Sequence, residues 1–385
     1  MTSEFGADTT IRTAFFDNGA IPDGFSLHAV VMGISTLVRV VAHPEHFDAR
    51  IFREMTSIWS PASEVGDQSS VMGNESLPLI TMGKCNDVNA EAVASEFSTV
   101  VTRVSLHVLK KANQLLLHAG GIADDHGNVA VIVGPSGRGK TTTIREMARE
   151  YSYVSDETIA IDAEGRVLPY PKPLSVIVSE HKHKQQIPSA QLGMKQLESN
   201  QLRIGSIVIL ERGKSGSKGD VEPVSLAEAL NLISSQSSYL TFVTHPLAFI
   251  ARLMNETGGF KRLTAGSVDF LASLAPKLWE PYHAEQWEHV MPSDRRNSFV
   301  GSEVVDALST IDGVLVMTSE GKLHTLSAIA SDIWRGLFRG ARLENIGQKI
   351  ESEFGTPLNT SIHNAVSEYV EELKALRIIS DVAEF

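Results

Sequence analysis

Gly134-Pro135-Ser136-Gly137-Arg138-Gly139-Lys140-Thr141 lies between an apolar run, Val129-Ala130-Val131-Ile132-Val133, and the helical segment Thr142-Thr143-Ile144-Arg145-Glu146-Met147-Ala148, which runs to about Glu150. Strand, glycine-rich turn and helix in that order are the setting a P-loop requires. Glycines let successive backbone N–H groups turn inward around phosphate oxygens. The helix N-terminus adds a field that favours anions. The spacing assigns phosphate binding to Gly134, Ser136, Gly137, Arg138, Gly139, Lys140, Thr141 and Thr142. Lys140 is expected to reach the β- and γ-phosphates, and the Thr141 hydroxyl to ligate Mg2+. The alternative is a chance Gly/Lys turn; every fixed position matches in the right setting, which counts against it.

Outward from the loop, Leu115-Leu116-Leu117-His118-Ala119-Gly120 reads as a strand carrying a histidine. The polar turn Asp124-Asp125-His126-Gly127-Asn128 then predicts a hairpin into the loop strand. Beyond the helix, Tyr153 to Ile161 reads as one strand bearing Asp156 and Glu157. Ile204 to Leu210 is an apolar strand ending in Glu211, a Walker-B-type position for a metal-side carboxylate. Each of these groups has a plainer alternative. Asp156 could be a solvated strand-end acid, His118 a structural residue, and Glu211 a surface partner of Arg212.

The order Leu117-His118-Ala119, then the P-loop, then Val154-Ser155-Asp156-Glu157 resembles the HPr kinase/phosphorylase family over residues 110–275. The resemblance implies an α/β P-loop kinase core of HPr kinase type that uses ATP and Mg2+. It implies that Asp156 takes a proton from the attacking hydroxyl, with His118 tuning it and Lys140 on the phosphates. Glu157 stands where the family usually has a second aspartate, so Thr141, Glu157 and Glu211 are the implied metal-side groups. The family's long signature for phosphorolysis and HPr engagement is missing. In its place are a Pro-rich turn, Leu168-Pro169-Tyr170-Pro171-Lys172-Pro173, and His181-Lys182-His183-Lys184, which is either a second anion site or a solvated loop. HPr is therefore not the expected substrate.

Residues 1–110 read as a small N-terminal α+β region. Two strands fall between Ser26 and Val41, a helix spans Ala49 to Trp59, residues 60–78 form a loop, and Glu91 to Leu117 shows helical spacing. After the 111–275 core, residues 276–296 read as a linker. Within the core, Ser225 is a helix N-cap with Glu228 completing a capping box, Pro246 to Thr257 is a helix, and Phe260 to Leu263 the last strand. Beyond the linker, three strands (Val304 to Ala307, Val314 to Met317, Lys322 to Leu326) precede three amphipathic helices at 328–338, 342–354 and 358–376. This order, with Leu326-Ser327-Ala328-Ile329-Ala330 and Ile333-Trp334 at the junction, resembles the PqqD-like family over residues 297–381. The resemblance implies that residues 297–385 form a winged-helix-like module that binds the leader of a ribosomally made precursor peptide by strand addition.

The 385-residue chain has a formal net charge of −12. An acidic chain is poorly suited to nucleic acid, whose binding runs on phosphate neutralisation. Its one cysteine, Cys85, excludes a disulfide framework and fits a cytoplasmic location. No signal peptide or membrane span is expected, and a homo-oligomer is compatible with the sequence. Together the two resemblances imply a kinase that transfers the γ-phosphoryl group of ATP to a hydroxyl, serine foremost, of a precursor peptide in the biosynthesis of ribosomally made natural products, lasso peptides being one class. A small-alcohol kinase and a nucleotide-dependent peptide carrier that does not phosphorylate are the alternatives.

Overall fold

The apolar run ahead of the glycine-rich loop is a strand buried on both faces, which is why it lacks polar alternation. The computed structural model describes residues 11–16, 21, 23–34, 36–59, 74, 76–85, 90–176, 184–198, 201–214, 216–282, 284–290 and 303–379. In chain order the elements begin with β1 (Ile11–Phe16), β2 (Leu27–Met32), β3 (Leu37–Ala42), α1 (Ala49–Ser57), β4 (Leu79–Cys85) and α2 (Ala90–Leu109). There follow β5 (Leu115–Leu117), β6 (Ala119–Ala123), β7 (Asn128–Val133), α3 (Lys140–Met147), β8 (Ser152–Ser155), β9 (Ile159–Ile161) and β10 (Val167–Leu168). Next come β11 (Leu174–Val176), β12 (Gln185–Ile187), β13 (Arg203–Arg212), β14 (Asp220–Val224), α4 (Leu226–Ser235), β15 (Ser237–Ser238), α5 (Pro246–Thr257), β16 (Phe260–Ala265) and α6 (Leu271–Leu274). The chain closes with β17 (Trp287–His289), β18 (Val304–Thr310), β19 (Gly313–Thr318), β20 (Leu323–Leu326), α7 (Ala328–Phe338), α8 (Leu343–Phe354) and α9 (Ile362–Ala375).

These elements group into two units: Met1–Glu222 with Arg262–Trp279, and Pro223–Lys261 with Glu280–Phe385. Residues 223–261 thus group with the C-terminal part of the chain. In the first unit, β1-β4-β3-β2 form one sheet. The alternating residues from Leu27 to Ala42 pair as an antiparallel hairpin. Phe52 and Met55 of α1 and Val93, Phe97, Val101 and Val104 of α2 pack into one core with Val38 and Val40. The N-terminus of α1 is capped by Asp48, whose carboxylate accepts from the Arg50 and Ile51 amides. Most of the loop expected at 60–78 and part of residues 1–20 lie outside the described residues.

The second sheet of this unit runs β14-β16-β13-β7-β6-β8. Strands β7 and β13 are parallel, and β6 and β7 form the expected hairpin. Ile144 and Met147 of α3 pack with Ile132, Val208 and Leu210 beneath the loop. Two sequence expectations need correction. The strand carrying His118 is two strands, because Leu115 to Leu117 pair with β9 whereas the chain from Ala119 pairs with β7 and β8. The strand from Tyr153 to Ile161 is likewise two. It breaks at Asp156 to Thr158, where the Ser155 hydroxyl accepts from the Glu157 and Thr158 amides at 3.4 and 3.3 Å. The chain changes sheets at both breaks, and these breaks carry His118, Asp156 and Glu157.

The second unit holds an antiparallel sheet, β17-β18-β19-β20, covered by α7, α8 and α9. Val314, Val316, Leu326, Ile333, Trp334, Ile346, Val366 and Val370 form its core, with Trp334 stacked on Phe338. The three strands and three helices follow the sequence expectation. The stretch read as a linker contributes a further strand, β17. Ser225 and Ser327 cap α4 and α7 through their side chains. Ser327→Ala frees the Ala330 amide at the start of α7, and is expected to cost this unit about 1 kcal/mol. Denaturant titration followed by tryptophan fluorescence measures that loss.

Candidate active site

The loop from Gly134 to Gly139 carries the chain from the end of β7 into α3. Gly137 and Gly139 have φ of 80° and 99°, in the left-handed region that glycine occupies without strain. A Cβ at either position would meet nothing within 4 Å, so backbone angle and not crowding calls for glycine. Gly139 caps α3 without a side-chain bond, which leaves first-turn N–H groups to an outside acceptor. Ser136, Arg138 and Thr142 are exposed beside these amides. An open glycine turn with uncapped helix amides fits a polyphosphate. Lys140 is buried, and its ammonium donates to the Gly134 carbonyl at 2.5 Å and the Pro135 carbonyl at 3.4 Å. Burial lowers its pKa, against the pull of Glu157 and Asp156.

Asp156 is the centre of the cluster, and is 4% exposed. The Thr141 hydroxyl donates to its Oδ2 at 3.3 Å. The Tyr153 hydroxyl lies 3.2 Å from its Oδ1 and 3.1 Å from the Lys172 carbonyl. The Lys172 ammonium is 3.5 Å from Asp156 Oδ1 and 2.8 Å from Glu157 Oε2. Its side chain is fully buried, whereas that of Glu157 is 36% exposed. Burial works against both charges, raising the pKa of Glu157 and lowering that of Lys172. Attraction overrides it: Lys172 draws Glu157 below its ordinary value, and Asp156, then Glu157, raise Lys172 above its own. Lys184 also lowers Glu157; its neighbours His181 to His183 lie outside the described residues.

His118 sits half-buried at the first strand break, among Lys140, Glu157 and Asp156 and beside the Glu157 main chain. Burial and then the Lys140 charge hold its pKa below the ordinary imidazole value, which favours the neutral ring. A neutral imidazole accepts or relays a proton without adding charge. His118, Lys140, Thr141, Asp156 and Glu157 therefore come together around one buried carboxylate. Glu211 does not join them by hydrogen bond or ion pair. It ends β13, exposed, and pairs at 3.3 Å with Arg262, which also holds Glu222 at 2.8 Å. The anticipated partner was Arg212.

The Thr141 hydroxyl and the Asp156 and Glu157 carboxylates are the hard oxygen donors a Mg2+ ion would take. Sequence reasoning missed Lys172 and Tyr153. Lys172 stands between two prolines in a segment read as a Pro-rich turn. Its only sequence signal is that Pro171 and Pro173 hold the backbone extended, denying the lysine a helix or a ladder.

In the second unit β20 is an outer strand of its sheet, with one backbone edge outside the β19 pairing. His324 on β20 pairs with Val316, placing its ring on the core face. Its Nε2 is buried without a hydrogen-bond partner among the described residues, and burial lowers its pKa. Helix α4 also lies against β20. No helix among the described residues is long and apolar enough to cross a membrane.

The family model of coenzyme PQQ synthesis protein D (PqqD) matches residues 312–379. The C-terminal part of the second unit is thus a PqqD domain. No curated protein sequence matches the chain. A solved structure of TbiB1 in complex with the TbiA(beta) leader peptide is similar at 23% identity, with a TM-score of 0.20, over 22% of this chain and 98% of that one.

Proposed function

We propose that this chain is an ATP- and Mg2+-dependent kinase of HPr kinase type that phosphorylates a hydroxyl, serine foremost, on a precursor peptide whose leader its PqqD domain holds. The observation that carries the kinase half is the convergence of Lys140, Thr141, His118, Glu157 and Lys172 on buried Asp156, beside an open glycine turn. Bound ATP supplies an activated phosphoryl group. The amides of residues 136–141 and Lys140 bind and orient a polyphosphate, and Thr141 with the acid pair offers oxygen ligands for its divalent ion. Asp156 accepts the proton of the attacking hydroxyl. Lys172 and Tyr153 hold that carboxylate in place, and Lys172 keeps Glu157 ionised beside it. Enclosure of Asp156 limits competition from water.

The peptide half rests on the PqqD domain. Leader binding in modules of this kind resembles strand addition, and β20, the outer strand of its sheet, is where an added strand would pair. His324 has an unsatisfied ring nitrogen on the same strand. Tethering a leader raises the concentration of the attached acceptor, to the order of millimolar for a short flexible connection. Steady-state phosphorylation of a precursor and of its leaderless core tests this. The intact precursor is expected to be the better substrate by about a hundredfold in kcat/KM, and free leader to inhibit it competitively. Equal rates on both would leave the PqqD domain without a substrate-binding role. Phosphorylation of a free small alcohol, with no peptide product, would favour the small-alcohol kinase.

A further inference from the structure

We propose that His245, His289 and Asp306 of the second unit form a site for a divalent transition metal, Zn2+ by ligand type. The three residues come from separate segments: His245 precedes α5, His289 ends β17, and Asp306 lies on β18. One ligand atom from each falls within 4.8 Å of the other two. The proposed phosphoryl chemistry uses none of them.

Asp306 anchors the site. Its side chain is fully buried. Oδ2 accepts from the Leu247 and Ala248 amides at 2.7 and 3.1 Å, in the first turn of α5. Oδ1 accepts from its neighbour's amide, that of Ala307, at 3.0 Å, and lies 2.7 Å from His289 Nε2. Helix capping and one imidazole partner would account for this carboxylate. They do not account for His245, whose Nδ1 faces the same Oδ1 from 3.7 Å, too far for a hydrogen bond. The two rings stand edge to face with centroids 4.6 Å apart. Two imidazole nitrogens thus face one buried carboxylate oxygen whose partner oxygen is fixed by helix amides.

Two histidines and a carboxylate are a donor set of three-ligand zinc sites that keep a fourth position open. The amides on Oδ2 play the outer-shell part that orients a ligating carboxylate. Metal–ligand bonds of about 2.0–2.2 Å put tetrahedral donors on the order of 3.3 Å apart. The 2.7 and 3.7 Å separations straddle that spacing, so small side-chain rotations bring the ligands into place. Both histidine side chains retain solvent exposure, 51% and 31%, which gives an ion a path in and a fourth ligand from water. A bound ion joins the start of α5 to β17 and β18 and stabilises this unit by linkage.

His43, Glu45 and His46 also lie within ligand distance of one another. They are neighbours in sequence, and His43 Nδ1 already accepts from the Glu45 amide at 3.2 Å. They serve as the control. The test uses the untagged full chain, stripped with chelator and titrated with Co2+ followed by visible absorption, then with Zn2+ followed by native mass spectrometry. One equivalent is expected, with a low-symmetry Co2+ spectrum and a higher melting temperature under Zn2+. His245→Ala and His289→Ala are each expected to weaken binding by about a hundredfold, whereas a double His43→Ala, His46→Ala variant keeps it. His245→Ala removes a half-exposed side chain outside hydrogen-bond range of Asp306; because His245 has a left-handed φ of 49°, the melting temperature of the metal-free variant is compared with that of the metal-free native chain. Absence of a Co2+ spectrum, unchanged affinity in His245→Ala, or loss confined to the His43/His46 variant overturns the proposal.

Discussion

Asp156→Asn is expected to slow phosphorylation of the precursor peptide by about 10²–10⁴-fold, the range over which a positioned general base contributes. The substitution keeps the shape of a side chain that is 4% exposed and surrounded by fixed partners. The amide can still meet the Thr141 and Tyr153 hydroxyls, but its oxygen is a far weaker proton acceptor. The glycine turn and Lys140 are untouched, so nucleotide affinity without metal is expected to change by less than about tenfold. The informative comparison is kcat for peptide against Kd for nucleotide. A fall in kcat at near-constant Kd assigns Asp156 to the chemical step. A parallel loss of both would make it a fold or binding residue instead.

Lys172→Met is expected to remove activity and to destabilise the first unit by about 3–5 kcal/mol, the range seen when a buried ion pair loses one partner. Lys172 is fully buried between Asp156 and Glu157, and methionine matches its length without its charge. The pH dependence gives a sharper sign. In the native chain Glu157 is lowered from 4.5, so its contribution is present above that value and lost as pH falls through the lower folded value. Lys172 is raised from 10.5, so its contribution is present below that value and lost as pH rises through the higher one. Between these limits the pair contributes a plateau. Without Lys172 the burial that opposes ionisation dominates at Glu157, and its folded pKa moves above 4.5. The variant is then relatively more stable in acid than at neutral pH, a reversed slope. Urea midpoints for both proteins from pH 3 to pH 8 would show the reversal; parallel curves would mean that the Lys172 charge is not coupled to Glu157.

Much of the second unit was legible because its signals are local. Ile333, Trp334, Val366 and Val370 recur at helical spacing and land on one core, and Ser327 caps the helix it precedes. The glycine turn was equally legible, since Gly137 and Gly139 take the backbone angles their identity allows. The acid cluster was only half legible. Asp156 and Glu157 looked like strand residues because apolar runs flank them, and nothing local signals that the chain changes sheets there. The same change of sheets at His118 hides in an unbroken run of small and apolar residues. Lys172 needed the tertiary fold, because a lysine in a Pro-rich stretch is ordinarily solvated and only burial against two carboxylates marks it. His245, His289 and Asp306 are scattered over 62 residues with no ligand spacing, and β17, β18 and the start of α5 bring them together.

The most direct measurement is intact-mass spectrometry of candidate precursor peptides after incubation with ATP and Mg2+, with Asp156→Asn in parallel. A gain of one phosphoryl mass on the peptide, mapped to a serine and dependent on Asp156, is the predicted result. An unchanged peptide mass in the presence of bound ATP would contradict the kinase assignment, and would leave the chain as a nucleotide-dependent peptide carrier.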